Sequence, residues 1–217
     1  MKKIFTLLCI TLLAVLFSGC GEMLRKEIVT QSLTARSDIF AEVNKDEPVP
    51  AEFGVVQINA SIKTRTANHY LINLGTSDVG KPAYPFVINI DGQAMEWRID
   101  GKKENTPRFE NGKEMSDGGE GIRYVLNKTI RLKKGSHRMF VGLSRDNIIQ
   151  EFDLNVKEGR STLEIIPVYK FAPMIDIRRP EGNEASFVYG INRLDIHYDG
   201  AQINTLPDTV LRRVIGK

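Results

Sequence analysis

The chain is poor in the residues that most often announce chemistry. Among 217 residues only Cys9 and Cys20 carry a thiol. That excludes a disulfide framework and a cysteine-based zinc site. His69, His137 and His197 are the only histidines, far apart in sequence, with no His-x3-His or His-Glu-x-x-His spacing; no local metal site is encoded. Trp97 is the only tryptophan. No Gly-x-Ser-x-Gly nucleophile elbow occurs. An excess of one charge is missing as well. Lys and Arg total 30 against 27 Asp and Glu, a net charge of +3, and without Lys2 and Lys3 the balance is 28 to 27. Composition therefore excludes a strongly basic nucleic-acid binder. What is present is ample apolar material: 41% hydrophobic residues, with 26% charged, enough to build a core.

The amino terminus reads as an address. Lys2 and Lys3 form a positive start, and Ile4 to Phe17 is an apolar stretch of 14 residues interrupted only by Thr6 and Thr11. As a helix it covers roughly 21 Å, at about 1.5 Å per residue. The hydrocarbon core is roughly 30 Å thick, so the stretch fits a signal peptide and not a permanent span. Leu16-Phe17-Ser18-Gly19-Cys20 follows. This segment resembles the lipobox of bacterial lipoproteins, with two small residues before the cysteine and Phe17 where the family usually has Leu. The resemblance implies removal of residues 1–19 and acylation of Cys20. It implies a membrane partner reached through lipid, because two or more acyl chains anchor stably without a polybasic patch. Gly21 stands where an Asp resembles an inner-membrane retention signal, so the outer membrane, facing the periplasm, is the expected location.

Residues 20–52 are expected to form a lipidated tether: few aromatics, many charges, and Pro48 and Pro50. From residue 53 the pattern turns to β. Val55 to Ile62 is rich in β-branched residues, and Phe86, Ile88 and Ile90 share a face opposite Val87 and Asn89. Asp91-Gly92 is a strong hairpin signal, since a type I′ turn needs two positive φ angles. Asp100-Gly101 marks another expected turn. Residues 102–121 are polar and glycine-rich without a period, so a long loop is expected. Alternation resumes with Met139, Val141 and Leu143, then Phe152, Leu154 and Val156, then Leu163 and Ile165. Such spacing without helices predicts an antiparallel β-sandwich over 53–170. A C-terminal extension over 171–217 should add a hairpin and a short terminal helix, with Pro207 and Asp208 in its first turn.

Leu132-Lys133-Lys134-Gly135-Ser136-His137-Arg138-Met139 and Val87-Ile88-Asn89-Ile90-Asp91-Gly92 resemble the hairpins of PEGA-like and related immunoglobulin-like envelope domains. The resemblance implies an immunoglobulin-like sandwich that binds or scaffolds and brings no catalytic residues.

Gly75 to Pro82 approaches a phosphate-binding loop, but Pro82 replaces the hydroxyl that would ligate magnesium and a strand follows instead of a helix; no nucleotide is expected. His197 lies on one strand face with Asp195 and Asp199, yet nothing selects a serine to complete a triad. Met115 to Gly121 sets Asp117 and Glu120 among glycines. Calcium wants six to eight oxygens, more than these provide, so no metal and no cofactor is expected. Arg178-Arg179 reads as a solvated mixed-charge turn. The leading expectation is a lipid-anchored, non-catalytic envelope module that binds a protein or glycan. The alternatives are an envelope-polymer hydrolase using Asp117 and Glu120 as paired carboxylates, and a carbohydrate binder that stacks sugar on an exposed Trp97.

Overall fold

Side chains of alternating polarity wrap one apolar core. In β2 (Phe53–Thr64), Val56, Ile58, Ala60 and Ile62 all point inward. Ile88 and Ile90 do so from β3 (Ala83–Ile90), and Met139, Val141 and Leu143 from β8 (Gly135–Leu143). The computed structural model describes residues 36–66, 83–143, 146, 148–171 and 185–205. Residues 1–35 with Cys20, His69, the 75–82 turn, Arg178-Arg179 and the terminal helix expected after residue 205 lie outside the described residues.

The remaining strands are β1 (Phe40–Glu42), β4 (Gln93–Thr106), β5 (Phe109–Glu110), β6 (Lys113–Glu114), β7 (Gly119–Lys133), β9 (Ile148–Val156), β10 (Gly159–Tyr169), β11 (Ile191–Tyr198) and β12 (Ala201–Ile203). Among the described residues ten strands join in one sheet, in the order β12-β11-β10-β2-β7-β4-β3-β8-β9, with β1 also on β7. β9 lies against β11, so the sheet curls into a nearly closed, barrel-like wrap. The protein is mainly β, as the alternation predicts. It is not wholly antiparallel: β10 runs parallel to β2, from Gly159 beside Gly54 to Ile165 beside Ala60. No tight turn joins these two strands, so local turn chemistry does not set their direction. A Cβ on Gly54 would fall 2.3 Å from the Lys157 carbonyl oxygen, so glycine is what admits the close approach there.

Other expectations change as well. The turn expected at Asp100-Gly101 is absent. β4 runs straight through it, pairing with β3 up to Asp100 and with β7 from Gly101 onward. A Cβ on Gly101 would sit 2.4 Å from both Ile122 and Tyr124, so glycine permits this change of partner. The long loop expected over 102–121 is mostly ordered pairing: β4 extends to Thr106 and β7 starts at Gly119. Between them β5 and β6 form a small hairpin around Asn111 and Gly112, both with positive φ. Finally, the tether expected to reach residue 52 meets the fold earlier. β1 pairs with the end of β7, and Phe40 is buried in the core at 4% exposure. Gln93 holds it there, its side-chain oxygen accepting from the backbone N–H of Ile39 and Phe40 and its amide donating to the Phe40 carbonyl.

The hairpin expected from Phe187 to Tyr189 with Leu194, Ile196 and Tyr198 does not form; instead β11 turns at Asp199-Gly200 into β12. β11 pairs along β10, and Leu194 and Ile196 enter the common core. Phe187 to Tyr189 form a 3-10 turn capped by the Ser186 side chain.

Candidate functional site

β7 defines two ends of the molecule. Near Lys133 it receives β1, where the chain arrives from residue 36. Near Gly119 it meets the last residues of β2 and β4. The unusual chemistry is at this second end.

Lys63 lies on the outer row of β2, opposite Arg123 of β7. Its side chain is nonetheless 0% exposed, because the 107–118 excursion and the 187–189 turn fold over it. Its ammonium donates to the carbonyl oxygens of Gly119 at 2.6 Å and Asp117 at 2.8 Å, and to Thr106 Oγ1 at 2.8 Å. Glu104 lies 3.3 Å away, and the charge sits 4.8 Å from the centre of the Phe187 ring. An ammonium has three donors, so this shell satisfies it completely. Burial pushes the Lys63 pKa down, and Glu104 works in the opposite direction. With every proton engaged, Lys63 is a strut and not a nucleophile.

The neighbours complete the strut. Arg123 donates to Glu104 Oε1 at 2.7 Å and Asp117 Oδ2 at 2.6 Å. Burial opposes its charge, but Asp117 and Glu104 outweigh burial and raise its pKa. The Thr106 hydroxyl donates to the Asp117 carbonyl at 2.7 Å. The Phe187 N–H donates to the Ser116 carbonyl at 2.8 Å, joining turn to excursion. The Tyr169 hydroxyl accepts from the Lys63 backbone N–H at 2.9 Å, and burial pushes its pKa up to about 12. Gly121 makes room for all of this. A Cβ there would lie 2.7 Å from the Thr64 carbonyl oxygen, 2.8 Å from Lys63 Cε and 2.9 Å from the Phe187 ring.

Beside the strut opens a cleft of about 220 Å³. Lys63 and Phe187 border it on the strut side, and Arg65, Tyr84, Asp146, Lys170, Tyr189 and Gly190 complete most of its wall. Tyr84 is buried, its ring centre 5.1 Å from that of Tyr124. Its hydroxyl donates to Asp146 Oδ2 and so fixes that carboxylate. Backbone bonds from Lys170 to Gly190 at 2.9 Å and from Ser186 to Lys170 at 2.9 Å hold the opposite wall. The wall thus offers one oriented carboxylate, two cationic side chains and two tyrosines.

The residues singled out by sequence have other employment. Trp97 is buried at 6% exposure, lies 6.4 Å from Phe86 ring to ring, and donates its indole N–H to Glu42 at 3.0 Å. It offers no exposed stacking face. The Lys128 ammonium lies 6.0 Å from the centre of the Trp97 ring and is bonded to the same Glu42 at 2.6 Å. The Asp117 carboxylate is engaged by Arg123, whereas Glu120 is exposed. Neither lines the cleft, so the two do not form a carboxylate pair in it. Asp195 accepts from Arg193 of its own strand, and Asp199, in the turn after β11, accepts from the Thr162 N–H of β10. His137 faces Asp91 Oδ2 and the Lys133 carbonyl, each at 2.7 Å, and ties two turns together. Among the described residues no three His, Cys, Asp or Glu side chains are grouped to hold a metal.

Sequence reasoning missed Lys63, Tyr84, Asp146 and Lys170. Lys63 left one trace: a lysine inside a β-branched run. The cleft residues come from five separate segments, which no spacing rule connects. Comparison with known protein families, with curated proteins and with solved structures gave no match.

Proposed function

We propose that the chain is a lipid-anchored binding module of a bacterial cell envelope, without catalytic activity, that presents its cleft to a protein or glycan partner. The observation that carries this reading is Ser18-Gly19-Cys20 directly after a 14-residue apolar stretch. Gly21 favours the outer membrane and a periplasmic orientation. The resemblance to immunoglobulin-like envelope domains rests on the Val87-to-Gly92 and Leu132-to-Met139 segments. The geometry suits presentation. The chain reaches the fold at Phe40, opposite Leu132, whereas the cleft adjoins Thr64, opposite Ile122. Ten residues of β7 separate these points, roughly 33 Å at about 3.3 Å per residue. A module tethered at one end would hold its cleft away from the bilayer.

Replacing the thiol tests the anchor. Wild-type protein should sediment with membranes, resist salt washing and be freed by detergent, whereas Cys20→Ala should leave the membrane fraction. Retention of the Cys20→Ala variant, or release of wild type by salt, would remove the basis of this reading.

A further inference from the structure

We propose that a second, smaller pocket at the chain-entry end binds a phosphate group, supplied by a phospholipid headgroup or by free phosphate. The first source rests on the anchored reading, which puts this end of the module toward the bilayer; the site itself rests on the residues around the pocket. The segment after β1 builds it. Residues 43–47 run over the outer face of the sheet: the Val43 N–H donates to the Thr129 carbonyl at 3.0 Å, and Arg131 donates to Glu47 Oε1 at 3.3 Å, both from β7. The Glu47 carbonyl accepts from Arg160 of β10 at 2.7 Å. β2 lies between β7 and β10, so the segment spans it, and the outward Val55 is only 3% exposed.

Between this segment and the strands lies a space of about 90 Å³, bordered by Lys45, Gln57, Thr129, Arg160, Ser161 and Thr162. A water molecule takes roughly 30 Å³ in the liquid, so the space suits one tetrahedral oxyanion and not a sugar ring. No Asp or Glu borders it. Among the described residues neither Lys45 nor Arg160 meets a carboxylate within ion-pair distance. Arg160 gives one N–H to a neutral carbonyl; a guanidinium has five donors, so most are left. Thr129 and Thr162 flank Gln57 in register, and their hydroxyls make no hydrogen bond among the described residues. Gln57 gives its amide protons to Asn59 and Asn127, both at 3.3 Å. Glu47 is answered by Arg131, and Asp199, at the Thr162 backbone, does not border the space. Two uncompensated cations and two free hydroxyls around a space without carboxylates favour an oxyanion. These donors come from three elements, the 43–47 segment, β7 and β10. That spread matches the several faces of a phosphate better than the single plane of a carboxylate.

Calorimetric titration of the full-length protein in non-ionic detergent tests this with three soluble probes: inorganic phosphate, glycerophosphoglycerol (a phospholipid headgroup without its acyl chains) and acetate. A phosphate probe should bind with a Kd of about 1 mM or tighter, and acetate about tenfold more weakly or not at all. Binding of glycerophosphoglycerol identifies the headgroup as the source; binding of inorganic phosphate alone identifies free phosphate. Arg160→Gln should weaken the bound probe by about tenfold and Lys45→Gln by about threefold. Both side chains are exposed, so circular dichroism should stay unchanged. Lys113→Gln, in the β5–β6 hairpin away from the pocket, should bind as wild type does. No binding by either phosphate, or equal binding of acetate, would overturn the proposal. So would unaltered binding in both pocket variants, or an equal loss in Lys113→Gln. The probes do not depend on the anchor: phosphate binding by a chain with an unacylated Cys20 would keep the site and remove the anchored reading, and acylation without binding would do the reverse.

Discussion

The two ends of the wrapped sheet settle their polar groups by different means. At the chain-entry end, Gln93 satisfies the backbone of Ile39 and Phe40 with a neutral amide, and Glu42 meets Trp97 and Lys128 at a partly exposed seam. At the cleft end a whole cation is buried. Its partners come from β4, from the 107–118 excursion and from the start of β7. Neutral amides satisfy backbone at modest cost. A buried charge is stable only while its whole shell is intact, because one missing partner leaves it uncompensated. The cleft end is therefore the more cooperative of the two, and a binding wall built beside it inherits that rigidity.

This contrast can be broken from either side. Lys63→Ala should have the largest effect, about 3–5 kcal/mol of destabilisation in urea unfolding, because Glu104 and the Asp117 and Gly119 carbonyls lose their donor. Hydrogen exchange should rise in the 107–118 excursion and stay unchanged in β1. Gln93→Ala should do the reverse. About 1–3 kcal/mol is lost as buried backbone donors go unsatisfied, with faster exchange at residues 39–42 and none at the cleft.

Tyr169→Phe should cost about 0.5–1.5 kcal/mol, the net worth of one hydrogen bond, and it carries a pH signature. The folded-state pKa of Tyr169, about 12, lies above the ordinary 10.0. Its contribution is then fully present below pH 10.0 and is lost as pH rises toward about 12. Lys63, depressed below 10.5, works in the opposite direction: stability grows as pH climbs from its folded value toward 10.5. Spectrophotometric titration of wild type against Tyr169→Phe isolates the tyrosine. Glu42→Gln should have the smallest effect, below about 1 kcal/mol, because the pair with Lys128 is partly exposed. The Lys128 and Trp97 bonds hold the Glu42 pKa below the usual carboxylate value. Its contribution is therefore present above pH 4.5 and lost as pH falls through the folded value.

Much of the strand layout was legible because its causes are local. The faces of β3, β8 and β9 follow from alternation, and the Asp91-Gly92 turn from two residues that tolerate positive φ. Asn111-Gly112 carries the same signal and went unread inside a stretch without alternating hydrophobics. What could not be read is non-local. The parallel pairing of β2 with β10 joins residues about a hundred positions apart, and no turn chemistry specifies it. The shell of Lys63 is assembled from residues 41 to 56 positions away. Phe40 looks like tether in a charged sequence until Gln93 is seen holding it. Burial of Trp97 is what its place in a hairpin predicts, whereas its bond to Glu42 joins residues 55 positions apart and could not be read.

Mass spectrometry of the amino-terminal peptide, taken from protein purified from its own host, bears most directly on the account. It predicts a chain that starts at Cys20 with acyl groups on that residue. A free Cys20 thiol, or a chain that still carries residues 1–19, would contradict it.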